Sequence, residues 1–270
     1  MNSKQAAYPY LMWTVVFIAV PLGLIMYFAF TDMQGSLSMD NLIRAGRYSS
    51  VFIKSIWLAA VSTALCLIIG YPVAYLMSRM QGIGSRTLLM LLMLPMWMNF
   101  LLRTYAWMTL LENNGIINHM LGFLGIGHLN MINTQGAVVM GMIYNYIPFM
   151  IIPLHSVMVK IQNDVMEAAQ DLGAGPREVF TKIVLPLSKP GIKTGVMMVF
   201  VPAVSTFIIS QMLGGGHNQL IGDIIEMQFL GNAYNPNLGS AISLVLMLLV
   251  LMCMSVSGFL DDEGVEERLL

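Results

Sequence analysis

Residues 164–186 read DVMEAAQDLGAGPREVFTKIVLP. Asp164 and Glu167 have the spacing of a capping box, in which an N-cap side chain and a glutamate three residues on satisfy each other's backbone N–H groups. The spacing predicts a short helix through Ala168, Ala169 and Leu172. Gly173 is suited to end it, because a left-handed C-terminal residue carries no penalty without a Cβ. Pro176 fits the first position of a second short helix over Arg177–Val184, where its missing N–H costs nothing. Leu185-Pro186 is expected to stop that helix. Two short helices so placed form a rigid knob, and Ala168, Ala169 and Gly173 allow a partner's surface to approach closely. Taken alone, the segment fits an amphipathic loop resting on lipid headgroups equally well.

Outward from this segment the chain becomes apolar. Of its 270 residues 57% are hydrophobic and only 10% charged. A soluble domain carries about 25% charged residues, so the bilayer must be the solvent for most of this surface. Net charge is −1, which gives no footprint for nucleic acid. About 20 apolar residues are needed to cross the hydrocarbon core. Residues 10–30, 55–78, 87–111, 136–158, 194–213 and 238–260 each qualify. The fold class is therefore all-α integral membrane, a single transmembrane domain over 1–270 with six spans and an inner loop at 160–193. The first run is too long for a signal-peptide core and lacks a small-x-small site after it, so it is expected to remain as a helix. The 26 methionines suit flexible packing between helices.

Lys and Arg set the orientation. With the N-terminus inside, the inner side carries Lys4, Arg79, Arg86, Lys160, Arg177, Lys182, Lys189, Lys193 and Arg268. The outer side carries Arg44, Arg47 and Lys54, all in the first loop, and the loops around 115–135 and 214–237 hold neither residue. Both termini are thus expected in the cytoplasm. Pro21, Pro72, Pro95, Pro148, Pro153 and Pro202 lie in the spans. They suit helices that flex around a central path, and equally reflect the general frequency of proline in membrane helices. Cys66 and Cys253 sit in apolar runs with no histidine at ligand spacing, so neither a disulfide nor a metal site is expected. No G-x-x-x-x-G-K-[ST] phosphate loop occurs, and Gly214–Gly216 has no following lysine.

Glu167-Ala168-Ala169, then Gly173, then Ile183 and Leu185-Pro186 match at every position the EAA loop of importer-type ABC permeases. On these residues the chain resembles the MetI-like, binding-protein-dependent permease family. The resemblance implies a six-helix type I importer permease of a bacterial cytoplasmic membrane, with no nucleotide site of its own. It further implies that Glu167, Ala168, Ala169 and Gly173 dock in a cleft of a separate ATPase subunit, with Ile183, Leu185 and Pro186 completing the loop. Gly70–Tyr75, Leu94–Asn99 with Arg103–Tyr105, Tyr144–Met150, Met212–Gly215, Asn218–Gly222 and Gln228–Leu230 are similar to the permeases of spermidine/putrescine importers. That likeness implies a heterodimer with a second permease, two ATPase subunits that bind ATP and magnesium, and an external substrate-binding protein.

A polyamine is a flexible polycation, held by carboxylates and by aromatic faces. Candidates along a substrate pathway are Trp97, Asn99, Tyr105, Tyr144, Tyr146, Asp223 and Glu226, with Trp57 and Trp107 as further aromatics and Asp32, Asp40 and Glu112 as further outer carboxylates. Each has a plainer reading, since Trp and Tyr gather at membrane interfaces. No carboxylate lies deep in a span, which leaves open a cation site on the partner permease. Arg103 is the one deep charge; it cannot attract a polycation and is expected to pair with a carboxylate or a helix C-terminus. Two other substrates fit the same permease role, an inorganic anion or a metal chelate. A transporter driven by an ion gradient would instead show inverted repeats and midplane charges, and neither is evident. An assembly subunit with no transport role is the third class.

Overall fold

The structure is a computed structural model that describes residues 8–80, 83–125, 127–216, 218–231 and 233–259, without side chains at 83 and 256–259. Lys4 and Arg268, used above for orientation, and Leu260, expected to end the last span, lie outside the described residues. In chain order the helices are α1 (Tyr8–Ala29), α2 (Asp40–Gly46), α3 (Ser49–Arg79), α4 (Ile83–Met93), α5 (Phe100–Leu111), α6 (Ile116–Phe123), α7 (Gln135–Met158), α8 (Asn163–Asp171), α9 (Pro176–Ser205), α10 (Ile208–Gly214), α11 (Ile221–Phe229) and α12 (Pro236–Phe259). Among the described residues the only β-type pairing is one bridge between Thr31 and Leu37. Among the described residues five helices are long and apolar enough to cross a membrane, or up to six if one bent pair counts as a span. The chain is a multi-pass membrane protein. Helices suit this solvent because each satisfies its backbone hydrogen bonds internally, where lipid offers no partner.

The chain forms two compact units, residues 1–53 with 221–270 and residues 54–220. In the first unit α1, α2 and α11 pack on α12. Asn237, at the start of α12, donates to the carbonyls of Thr31 (2.7 Å) and Phe28 (3.2 Å) just after α1. Asn41 donates to the same Thr31 carbonyl at 2.8 Å. These bonds satisfy carbonyls that the end of α1 leaves without intrahelical partners.

The second unit centres on α7, the most buried of the spans. α9 packs along it through glycines: a Cβ at Gly191 would stand 3.0 Å from the Pro153 carbonyl, and one at Gly195 2.7 Å from Met150 Sδ. Small residues at such crossings let backbones approach where no hydrophobic effect drives helices together.

Two spans differ from expectation. The stretch 87–111 is not one helix. α4 runs into a 3-10 turn over Leu94–Trp97, and the pair is bent by 89° before the following helices. Pro95 weakens the first half, and Asn99 starts a new helix, its side-chain oxygen accepting from Leu101 N (2.8 Å) and Leu102 N (3.4 Å). The stretch 194–213 begins earlier and breaks sooner: α9 runs continuously from Pro176 to Ser205, then Thr206 turns extended and α10 follows. Ser205 Oγ donates to the Val201 carbonyl at 3.3 Å, meeting a carbonyl of the last turn with a side chain.

Leu185-Pro186 therefore does not stop the second short helix. A π-helical turn over Phe180–Val184 precedes it, and Leu185 N–H donates five residues back to Phe180 O. The first span repeats the device, with a π turn over Val15–Ala19 and Val20 N–H donating to Val15 O just before Pro21. Widening the turn ahead of the proline relieves the ring's conflict with the preceding carbonyls, so the helix passes through.

Candidate functional site

The segment 160–193 sits wholly within the second unit. α8 begins at Asn163 with Gln162 at its N-cap and no capping side chain, so Asp164 is not the cap. The reason is register: the helix starts two residues earlier, which puts Asp164 in the first turn, where its charge favours the helix dipole. Gly173 has φ +89° and ends α8 as expected, its N–H donating to Gln170 O at 2.8 Å. Pro176 opens α9, and the Gly175 N–H donates to Glu178 Oε2 at 3.3 Å. Glu178 and Lys182 form an exposed ion pair at 2.9 Å, a contact of small energetic weight.

α8 has two apolar faces. Met166 and Ala169 pack inward on a small core of Ile161, Val179 and Val184, joined by Ile183. Val165 and Ala168 are exposed on the other side, and Leu172 is 90% exposed at the helix end. Glu167 is exposed and, with Tyr75, Asn163 and Gln170, borders a cavity of about 250 Å³. Leu185 is exposed and Pro186 half-buried where α9 resumes α-helical form.

Sequence reasoning missed the residues of α3 that hold this segment. Arg79 Nη1 donates to Ile161 O (3.2 Å) and to Asn163 Oδ1 (2.9 Å), and its guanidinium lies 5.4 Å over the Tyr75 ring. Tyr71 and Tyr75 both meet Phe180 edge-on, at 5.7 and 6.1 Å. The Tyr71 and Ser188 hydroxyls share a 2.8 Å hydrogen bond. A signal for this was available, since 71, 75 and 79 fall every fourth residue and line one helix face.

The pathway candidates are divided between the units. Trp97, 88% exposed, ends the 3-10 turn; Asn99 is the cap of α5; Tyr105 is exposed on α5. Tyr144 is half-buried on α7, its ring 5.3 Å from that of Trp107. Tyr146 is buried and donates to Pro202 O at 3.4 Å, tying α7 to α9. Asp223 is buried and Glu226 half-buried on α11 of the first unit. Trp57 is exposed on α3. Among the described residues no three His, Cys, Asp or Glu are grouped to hold a metal.

Arg103 is buried on α5, but the expected strut is not there. Its Nε has no hydrogen-bond partner and, among the described residues, no carboxylate lies within ion-pair distance. Its guanidinium rests 5.7 Å from the Phe100 ring on its own helix. One turn from a helix N-terminus, it also lies at the unfavourable end of the dipole.

Residues 66–261 match the family model described as binding-protein-dependent transport system inner membrane component. The spermidine/putrescine transport system permease protein PotB of Haemophilus influenzae is 35% identical over 254 residues, covering 90% of this chain and 88% of that protein. The protein of the same name from Escherichia coli K12 is 34% identical over 88% of this chain and 90% of its own length. Among solved structures, a chain of a bacterial ABC transporter that imports the acidic polysaccharide alginate superposes with a TM-score of 0.79 at 18% identity, over 97% of this chain and 95% of that one. A chain of the MetNI methionine ABC transporter in inward-facing form gives 0.53 at 19% identity, over 85% and 96%. At such identities these two show a shared fold alone. The family match and the relatives that span nearly the whole chain together place it: the chain belongs to the family of binding-protein-dependent transport system inner membrane components, the permease subunits of ABC importers.

Proposed function

We propose that this permease imports polyamines of the spermidine/putrescine type. The observation that carries the reading is the identity of about one residue in three, over nearly the whole length, with permeases named for those substrates. In this reading the chain pairs with a second permease subunit, two ATPase subunits bind ATP and magnesium, and an external binding protein delivers the ligand. Both termini face the cytoplasm. The exposed ridge of Val165, Ala168 and Leu172 beside Glu167 is the surface that an ATPase cleft accepts. ATP-driven closure moves α8, and the spans change between outward and inward access. The pathway residues Trp97, Asn99, Tyr105, Tyr144, Tyr146, Asp223 and Glu226 are proposed to line or border the route, with aromatic faces and carboxylates suited to a polycation.

The test is ATP hydrolysis by the assembled complex in vesicles, with binding protein loaded with spermidine, putrescine or an inorganic anion. Stimulation by the polyamine-loaded protein is expected. Stimulation by the anion-loaded protein and not by the polyamine-loaded one would sink the assignment.

A further inference from the structure

α3, at 31 residues the longest unbroken α-helix, ends on Arg79. From that end one stripe of side chains touches the 160–193 segment at three successive places. Arg79 holds the start of α8 through Asn163 and the carbonyl of Ile161. Tyr75 and Tyr71 hold the π turn of α9 through Phe180. Tyr71 holds the following turn through Ser188.

We propose that Arg79 is the positioning residue that ties α8 to the second span and carries the displacement of α8 into the membrane.

Three features favour a transmitting link over a simple brace. Tyr75 and the Asn163–Gln170 face of α8 line a common cavity of about 250 Å³, so α8 has room to move on that side. The charge-assisted bonds of Arg79 join α3 to the start of α8 beside that cavity, and such bonds are roughly twice as strong as neutral ones. The guanidinium also lies 5.4 Å over the Tyr75 ring, while its Nε and Nη2 are buried without a hydrogen-bond partner. Those idle donors permit a second set of bonds when α8 shifts, which gives the link two arrangements rather than one. The π turn at Phe180–Val184, a wide and soft point in α9, lies against the same stripe. A rigid helix pulled at its end moves as a body, so α3 takes up the displacement that the soft turn in α9 absorbs.

This inference rests on the ATP-driven importer reading, and the experiment separates the two. The complete complex is reconstituted in vesicles with spermidine-loaded binding protein, and uptake and ATP hydrolysis are measured on the same sample. Arg79→Ala is expected to co-purify with the ATPase at the normal yield and to go on hydrolysing ATP. Uptake per ATP is expected to fall at least about tenfold, within the usual range of a coupling free energy. Arg79→Lys, which keeps a donor but not the planar guanidinium, restores part of the ratio. Asn163→Ala lowers it as well, and Arg79→Ala with Asn163→Ala is no worse than Arg79→Ala alone.

An unchanged ratio in Arg79→Ala, with uptake and hydrolysis falling together or not at all, would overturn the inference. So would independent, multiplying losses in the double variant. Should Arg79→Ala fail to assemble, the same ratio in Arg79→Lys and Asn163→Ala decides. A wild-type complex with no ATP-dependent uptake overturns the importer reading instead.

Discussion

Leu172 is an apolar side chain 90% exposed at the end of α8. If it anchors an ATPase cleft, Leu172→Asp weakens association of the permease with the ATPase by about 1–2 kcal/mol, roughly tenfold. Co-purification under graded detergent or salt measures this, and undiminished association would remove the ridge from the docking surface. Arg103 calls for the opposite expectation. A buried cation with no carboxylate within ion-pair distance among the described residues is a cost to the fold, and an apolar replacement of similar volume is neutral or stabilising. Arg103→Leu should leave the thermal midpoint of the purified permease unchanged or higher. A fall of several degrees would show that the guanidinium is compensated in the fold after all. Both readings follow from surroundings that neither residue type announces. An arginine inside an apolar run invites a partner on general grounds, and only the fold reveals that its guanidinium lies over the Phe100 ring.

Among elements, the crossing of α7 and α9 depends on the absence of side chains. At Gly191 an added Cβ meets the Pro153 carbonyl and Leu154 Cα, which are backbone and cannot swing aside. Gly191→Val is expected to cost roughly 1–3 kcal/mol through overpacking, seen as a lower thermal midpoint with α-helical content unchanged. A variant as stable as the parent would show that the two helices are free to separate. The break between α4 and α5 tests a different force. Asn99 caps α5 by two side-chain hydrogen bonds, and Asn99→Ala should lower stability by about 1 kcal/mol. If Asn99 instead served substrate alone, uptake would fall while the thermal midpoint stayed fixed. The break had a sequence signal in Pro95 followed four residues later by a capping asparagine. It was masked by the apolarity of the whole stretch, because an apolar window scores the same whether its helix is straight or folded back. The turns that carry the chain through Pro21 and Pro186 had no comparable signal. Proline marks where a hydrogen bond is lost, and the surrounding packing selects between a stop, a kink and a π turn.

For the whole molecule, orientation is the property most open to a direct test. Asp171→Cys, beside the end of α8, is expected to react with an impermeant maleimide only when the cytoplasmic face is accessible. Gln34→Cys, in the turn after α1, should react only from outside, in a background where the exposed Cys253 is replaced by serine and Cys66 is buried. Labelling of both from one side would overturn the topology. What the sequence by itself determined is the solvent, the number and rough position of the apolar stretches, and the family. Crossing a bilayer is decided residue by residue along about 20 positions, and the Glu167–Pro186 pattern is contiguous. The tertiary structure alone decided that 87–111 is bent at Asn99, that α9 continues unbroken out of the 160–193 segment, and that Arg79 grips a segment more than eighty residues away. Those outcomes depend on which faces meet. Hydropathy has magnitude along the chain but no direction around a helix, so the stripe of Tyr71, Tyr75 and Arg79 acquires its meaning only once Asn163, Phe180 and Ser188 are folded against it.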